Sequence, residues 1–253
     1  MRCFGVTLDL RAGSKALLRR MIDRLPHDAE LTSAAEPVSR TWAIAGPDFD
    51  GTYRLYGNSR KLAAAPKLAP LLEQLGRDAI IHVADHAPAF VFVHAGVVAW
   101  QGRALLFPGT SFAGKTTLVA SLVRAGAVYY SDEYALLDEQ GRVHPYARAL
   151  QMRRPGRSRQ RSVEVSRLAG VAGTALIPVA EIHFIRYAAG AAWNPEPVPP
   201  GLAALQMLPH TIPIRRSPSR VLKTLAAVTS AATSWQSDRG DADATARDLL
   251  ARL

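Results

Sequence analysis

The first third of the chain alternates between short apolar runs and stretches with helical periodicity. The apolar runs predict strands and the periodic stretches predict helices. The strands are expected over residues 3–8, 41–45 and 52–56, and the helices over residues 14–25 and 68–86. This order indicates an N-terminal α+β portion over residues 1–87, in which no catalytic signature is visible.

From residue 88 onward the chain becomes richer in apolar and β-branched residues, as in strands that are buried on both faces. Residues 89–100 and 103–108 predict two strands joined by a turn, and residues 116–125 predict the helix that follows. Further strands are expected over residues 127–132, 181–187 and 234–237, and further helices over residues 201–208, 218–232 and 242–253. We therefore expect an α/β domain over residues 88–253.

The segment between the second of these strands and its helix has the spacing of a phosphate-binding loop. Two glycines permit backbone angles at which successive N–H groups point towards phosphate oxygens, and the positive end of the helix adds to the attraction. Lys115 can reach the β and γ phosphates, while the Thr116 hydroxyl can bind Mg²⁺. The residues predicted to bind the nucleotide are Gly109, Thr110, Ser111, Phe112, Ala113, Gly114, Lys115, Thr116 and Thr117.

Asp132 and Glu133 close the strand that follows the phosphate-loop helix. In a parallel βαβ unit the carboxyl ends of both strands share one edge, so both acids would lie beside the loop. Phosphoryl transfer needs a carboxylate at the metal and a base for the acceptor hydroxyl. We therefore predict Mg²⁺ ligands at Thr116, Asp132 and Glu133, although the acidic pair taken alone could also be a surface turn.

Three segments together resemble the catalytic core of HPr kinase/phosphorylase. They are a strand containing His94, the phosphate loop with its flanking elements, and the strand that ends in Asp132-Glu133. The resemblance covers residues 89–150 and is closer to the smaller HPr-kinase-like serine kinases, which include kinases of lasso-peptide precursors. It implies the fold shared with phosphoenolpyruvate carboxykinase, in which the phosphate loop sits on a mixed sheet. It also implies ATP, Mg²⁺ and a serine hydroxyl as acceptor.

The resemblance assigns roles by position. It implies that Asp132 is the base that accepts the proton of the acceptor hydroxyl, and that His94 lies beside the phosphates. Glu133 would assist with the metal or the geometry, and Lys115 would complete the catalytic set. The acceptor would be a peptide, a small protein or a small molecule, and the family relationship raises the expectation of a homo-oligomer.

The formal net charge of +10 comes from two stretches. Residues 147–167 hold seven Arg and one acid, and residues 215–223 hold four cations and no acid. Such clusters are typical of nucleic-acid binding, of sites for phosphates or acidic peptides, or of a solvated surface. No aromatic residue interleaves the first stretch, which disfavours nucleic acid. Arg148, Arg153 and Arg154 fall where the resemblance implies a substrate-facing loop, and are candidates to neutralise the transferring phosphate.

Other features of the sequence limit the remaining classes. No apolar run is long enough to cross a bilayer and no signal peptide is visible, so a cytoplasmic location without membrane contact is expected. The lone Cys3 cannot form an internal disulfide and argues against structural zinc. The sequence lacks the Asn-Lys-x-Asp motif of GTPases and the Leu-Ser-Gly-Gly motif of transporter ATPases. A nucleotide-gated binding protein or regulatory ATPase without a phosphoacceptor remains the main alternative to a kinase.

Overall fold

The structure is a computed structural model that describes residues 1–26, 29–32, 37–109, 114–153 and 160–253. The chain divides into two units, residues 1–89 and residues 90–253. The described residues form six α-helices and mixed β-sheets, which confirms the expected α/β class. None of the helices in the described ranges is long and apolar enough to span a membrane.

The first unit contains a five-stranded sheet in the order β1-β2-β3-β4-β5. Its elements are β1 (Arg2–Cys3), β2 (Val6–Ala12), α1 (Lys15–Ile22), β3 (Arg40–Ala45), β4 (Tyr53–Gly57), β5 (Arg60–Ala65) and α2 (Leu68–His86). Strands β2 and β3 are parallel, whereas β3, β4 and β5 form an antiparallel meander. The bounds predicted for the helix over residues 68–86 are confirmed, but β5 was not predicted because its sequence, Arg60-Lys-Leu-Ala-Ala-Ala65, carries little apolar alternation.

The second unit contains an eight-stranded sheet and a separate two-stranded hairpin. Its strands are β6 (Val91–Trp100), β7 (Arg103–Pro108), β8 (Val128–Ser131), β9 (Tyr134–Leu137), β10 (Arg142–His144), β11 (Leu150–Arg153), β12 (Gln160–Val163), β13 (Ile177–Tyr187), β14 (Glu196–Val198) and β15 (Thr233–Arg239). Its helices are α3 (Lys115–Arg124), α4 (Pro200–Met207), α5 (Pro218–Ala231) and α6 (Ala242–Ala251). The hairpin β11–β12 lies within the Arg-rich stretch and was not predicted.

The large sheet runs in the order β10-β9-β6-β7-β13-β15-β14, with β8 also paired to β6. Strands β7, β13 and β15 are parallel to one another, so their carboxyl ends share one edge. Strand β6 is antiparallel to both β7 and β8. The simple βαβ unit assumed for β7, α3 and β8 is therefore wrong in detail, because β6 lies between the two strands. The two strands still run in the same direction, and both end on the same side of the sheet.

Apolar side chains cover both faces of this sheet. One cluster joins alternate β6 residues, including Val93, Ala95 and Val97, to helices α4 and α5. The other cluster joins Val98 to helices α3 and α6. Because side chains alternate along a strand, His94 and Gly96 lie on the α3 side with Val98. A Cβ atom at Gly96 would lie 2.7 Å from Val119 Cγ2, so glycine is what allows α3 to pack this close to β6.

Candidate active site

The candidate site lies where β7 and β8 end on either side of β6. Ala95 pairs with Pro108, the last residue of β7, and Val97 pairs with Ser131, the last residue of β8. Two further backbone hydrogen bonds extend these pairings: Gly109 N donates to His94 O at 3.2 Å, and Ala95 N donates to Glu133 O at 3.2 Å. Strand β6 therefore holds the start of the phosphate loop and the acidic turn at adjacent positions.

The carbonyl oxygen of Gly109 accepts hydrogen bonds from two of the predicted catalytic residues. Lys115 Nζ donates to it at 2.8 Å, and His94 Nδ1 lies 2.5 Å from it. Because a carbonyl can only accept, Nδ1 of His94 carries the proton and Nε2 is the acceptor of the neutral ring. Burial lowers the pKa of His94, the hydrogen bond to Gly109 opposes that shift, and the charge of Lys115 lowers the pKa further. The ring is therefore neutral at pH 7.

Lys115 is the first residue of α3 and is partly buried. Burial lowers the pKa of its ammonium group to about 8, and the nearby carboxylate of Asp132 opposes that shift. Gly114, which precedes it, has a φ angle of +79° in the left-handed region that favours glycine. The local backbone thus presents a desolvated cation at the positive end of a helix, the arrangement that attracts phosphate.

Asp132 is the buried acid of the site, with a relative exposure of 8%. Its carboxylate accepts hydrogen bonds from Tyr129 Oη at 3.0 Å and from the backbone nitrogen of Gln151 at 3.3 Å. Burial raises the pKa of Asp132, and these hydrogen bonds, with the nearby Thr116 side chain, partly oppose the shift. The same residue therefore contacts the hairpin strand β11, through Gln151, and lies near the start of α3.

Glu133 points towards a different partner. Its backbone nitrogen donates to Ser131 Oγ at 3.1 Å, which shapes the turn between β8 and β9. Its carboxylate lies 3.6 Å from Arg148 Nη1 and is partly exposed. Burial raises the pKa of Glu133, whereas the charge of Arg148 lowers it. The two acids thus differ in environment, as expected, although they lie in a turn and not on a strand.

The sequence did not point to His210, which follows α4. The pairing of β7 with β6 ends before residue 109. Beyond that point Thr211 forms an isolated β-bridge with Val93 of β6. Burial lowers the pKa of His210, and electrostatic interactions with His94 and Lys115 lower it further. Its Nδ1 atom is buried and has no hydrogen-bond partner among the described residues. A single His in a loop gives no signal of its own; only the pairing with β6 brings it here.

Arg239, the last residue of β15, was also missed. It is 3% exposed, and its guanidinium donates to the carbonyls of Gly114 at 2.8 Å and Gly240 at 2.9 Å. A Cβ atom at Gly114 would lie 2.3 Å from Arg239 Nη2, so the glycine makes room for the guanidinium. The strand predicted over residues 234–237 stops before Arg239, and this hid its position at the carboxyl edge.

Some of the predicted site residues cannot be placed. Thr110, Ser111, Phe112 and Ala113 lie outside the described residues, as does Arg154, and the side chain of Arg153 lies outside them too. Thr117 is exposed in the first turn of α3. The structure brings together His94, Gly109, Lys115, Thr116, Asp132 and Glu133, with Gly114 at the start of α3.

The described residues could bind Mg²⁺ only if a bound ligand supplied some of the oxygen atoms that coordinate the metal. Across these residues no group of three or more His, Cys, Asp or Glu side chains is arranged to hold a metal. The Thr116 hydroxyl and the Asp132 carboxylate supply two oxygen donors near each other. Mg²⁺ typically binds one or two carboxylates together with substrate phosphates and water. The donor set therefore suits a metal that arrives with a nucleotide.

Comparison of the chain with protein-family models and with curated proteins gave no match.

Proposed function

We propose that the chain is an ATP-dependent kinase that transfers the γ-phosphoryl group to a serine or another hydroxyl of a peptide, a small protein or a small molecule. One observation carries the proposal: the buried carboxylate of Asp132 interacts electrostatically with Lys115 and lies near Thr116, the first two residues of α3. A cation and a hydroxyl at the start of a helix, with a desolvated carboxylate near them, are groups that phosphoryl transfer uses. The resemblance to HPr-kinase-like serine kinases supports the same assignment.

Lys115 would bind the phosphates. Its ammonium group donates a hydrogen bond to the Gly109 carbonyl and is partly desolvated. Phosphate oxygens would replace this carbonyl as the partner and would favour the charged form of the lysine. Thr116 and Asp132 would hold Mg²⁺, which when bound neutralises charge on the phosphate oxygens.

Asp132 would act as the base. The acceptor oxygen would form a bond to the γ-phosphorus as the bond to the β-γ bridging oxygen breaks and ADP leaves, and the hydroxyl proton would pass to Asp132. A base works best when its pKa approaches the working pH, and burial raises the pKa of this carboxyl. Tyr129 and the Gln151 backbone hold the carboxylate in place.

His94, Glu133 and Arg148 would complete the site. Neutral His94 fixes the Gly109 carbonyl and so the entry into the phosphate loop. Arg148 lies 3.6 Å from Glu133, and its guanidinium can donate to transferring phosphate oxygens if the carboxylate releases it. Glu133 would then position Arg148 as much as it would assist the metal.

A second candidate function has one observation in its favour. His94 and Lys115 both bond to Gly109, so nucleotide binding would have to rearrange the start of the phosphate loop. Such a rearrangement is what a nucleotide-gated binding protein or regulatory ATPase uses to signal its state. The buried base-like Asp132 favours the kinase, because gating alone does not require it.

The test is transfer of label from γ-labelled ATP with Mg²⁺ to a panel of serine-containing peptides of acidic, neutral and basic composition, together with small hydroxyl compounds. The wild type is compared with Asp132→Asn and Lys115→Ala, and Asp238→Asn serves as a control at an exposed site. Label on an acceptor with the wild type and the control, but with neither site variant, supports the kinase. Release of free phosphate without transfer supports the regulatory ATPase. ATP that stays intact in all four reactions contradicts a regulatory ATPase, and a wild type that does not bind ATP contradicts both candidate functions.

A further inference from the structure

The buried guanidinium of Arg239 has no ion pair with a carboxylate among the described residues, and within the same residues its buried Nε atom has no hydrogen-bond partner. Burial lowers its pKa, and electrostatic interactions with Tyr187 and Asp241 oppose that shift. A buried cation satisfied only by backbone carbonyls costs free energy unless an anion joins it.

Tyr187 stands beside this guanidinium at the carboxyl end of β13. The two residues are direct partners in the parallel pairing of β13 with β15, and the Arg239 guanidinium carbon lies 5.2 Å from the centre of the Tyr187 ring. A Cβ atom at Gly114 would lie 3.8 Å from Tyr187 Cβ, so the tyrosine borders the phosphate loop. It is nevertheless 57% exposed, which is unusual for an aromatic side chain against a buried cation.

The order of the strands indicates how a bound phosphate chain would be oriented along the edge of the sheet. The acids Asp132 and Glu133 follow β8 on the far side of β6, whereas Tyr187 and Arg239 end β13 and β15 on the opposite side of β7. Pro108, the last residue of β7, therefore lies between the two sets along the edge of the sheet. A phosphate chain whose terminal group meets the acids would extend its other end towards Tyr187 and Arg239.

We infer that Tyr187 and Arg239 form the subsite for the nucleoside end of the ligand. Arg239 binds a phosphate oxygen next to Gly114, and the exposed face of Tyr187 stacks on the base. The ligand class is thus a nucleoside polyphosphate with a planar base, as opposed to an inorganic polyphosphate. This inference rests on the proposed nucleotide site and adds the residues that would recognise the base, for which the sequence contained no motif.

The experiment compares the affinities of the full chain for ATP and for inorganic tripolyphosphate by calorimetric titration in Mg²⁺. Tyr187→Leu removes the ring from an exposed position, so the variant should remain folded. We expect ATP to bind about 5- to 100-fold more weakly, since stacking of a base on an aromatic ring contributes that much. Tripolyphosphate, which has no base, should bind as tightly as to the wild type.

Three further variants sharpen the result. Tyr187→Phe keeps the ring and should retain the affinity for ATP. Arg239→Lys keeps the charge but loses the planar fork, and should weaken both ligands by about tenfold. Phe49→Leu removes an exposed aromatic ring from the first unit and should change neither affinity.

Several outcomes would overturn the inference. They are an unchanged ATP affinity in Tyr187→Leu, an equal loss for ATP and tripolyphosphate in that variant, and a wild type that binds the two ligands equally. In each of these cases the wild type still binds ATP, so the proposed function survives. A wild type that binds neither ligand would remove the phosphate site itself, and both proposals with it.

Discussion

Two clusters of charged side chains lie along β13 and β15, and they differ in how completely they are paired. The first, which we call the paired cluster, consists of Glu181, His183, Trp235 and Arg252. Glu181 Oε2 lies 2.8 Å from His183 Nε2 and 2.6 Å from Arg252 Nη2, and the Arg252 guanidinium lies 4.2 Å from the Trp235 ring centre. The second is Arg239 with Tyr187 at the carboxyl ends of the same strands, where the structure, over the residues that it describes, gives the buried cation no ion pair with a carboxylate.

This contrast distinguishes a structural ion pair from charged groups that could serve a ligand in this unit. In the paired cluster the charges of Glu181 and Arg252 form an ion pair, so the cluster ties the end of α6 to the sheet. At the other end, Arg239, Lys115 and Asp132 are buried or desolvated and are satisfied mainly by carbonyls, hydroxyls and backbone groups. Groups left in that state carry a free-energy cost that a bound anion or cation would offset.

The largest effect is expected from Asp132→Asn, which keeps the shape of the side chain and removes the base. We expect the rate of phosphoryl transfer to fall by about 10²- to 10⁴-fold, the usual contribution of a general base. The free energy of unfolding should change little or rise, because a buried carboxylate is replaced by a neutral group. Rates of label transfer and urea denaturation measure the two quantities. A variant that unfolds more easily but transfers the phosphoryl group at the wild-type rate would show that Asp132 has a structural role and is not the base.

Lys115→Ala should weaken both nucleotide binding and transfer. Removal of one positioned donor to the developing charge costs about 10²- to 10³-fold in rate. The loss should appear in the affinity as well, because the lysine would contact the phosphates before reaction. Titration with ATP and transfer rates at saturating ATP separate the two contributions. Lys115→Arg, which retains a cation, is the matched control and should recover part of the affinity.

The paired cluster should respond in the opposite way. Arg252→Met removes a charged hydrogen bond to Glu181 and a cation over Trp235, and we expect it to lower the free energy of unfolding by about 2 kcal/mol. Affinity for ATP should be unchanged, since this cluster has no part in the phosphate site. Chemical denaturation and ATP titration on the same preparation check both statements. A fall in ATP affinity without a fall in stability would break the distinction between the clusters.

The paired cluster also predicts how stability depends on pH. Burial raises the pKa of Glu181, but the hydrogen bond and charge of His183, with Arg252 and Trp235, bring it below the ordinary value of 4.5. The unfolded chain therefore binds this proton more tightly, so the stabilisation is present above pH 4.5 and is lost as the pH falls below it. The Glu181→Gln variant should be less stable than the wild type at neutral pH, with a smaller difference in acid. Denaturation curves across that range are the measurement.

The smallest effect is expected at the exposed pair Arg186–Asp238, one residue from Arg239. The guanidinium donates to the carboxylate at 2.8 Å through two nitrogens, yet both side chains are exposed. Exposed ion pairs contribute little to stability because water screens them. Asp238→Asn should leave the unfolding curve, the ATP affinity and the transfer rate unchanged, and a measurable effect on any of them would show that charge near this edge acts regardless of pairing.

Local patterns predicted much of this fold. The predicted helix over residues 68–86 and the strand–loop–helix order around residues 103–125 agree with α2, β7 and α3. The acidic turn was found because it follows an apolar run, whereas His94, which lies within β6, was singled out only by the resemblance to HPr-kinase-like kinases. These signals are carried by neighbouring residues, so a single sequence contains them.

Long-range pairing could not be predicted in the same way. The position of β6 between β7 and β8, the approach of His210 through Thr211, and the contact of Arg239 with Gly114 all join residues far apart in the chain. A buried arginine after a short polar strand looks like any surface cation in sequence. Only the parallel pairing of β13 with β15 brings it to the phosphate loop.

The most direct test is titration of the wild-type chain, Lys115→Ala and Arg252→Met with ATP in Mg²⁺. It asks whether the edge of the sheet that carries Lys115, Asp132 and Arg239 is a ligand site. We expect saturable binding to the wild type and to Arg252→Met, and binding that is greatly weakened in Lys115→Ala. Equal binding to all three proteins would place the nucleotide elsewhere. No binding to the wild type would contradict the nucleotide site altogether.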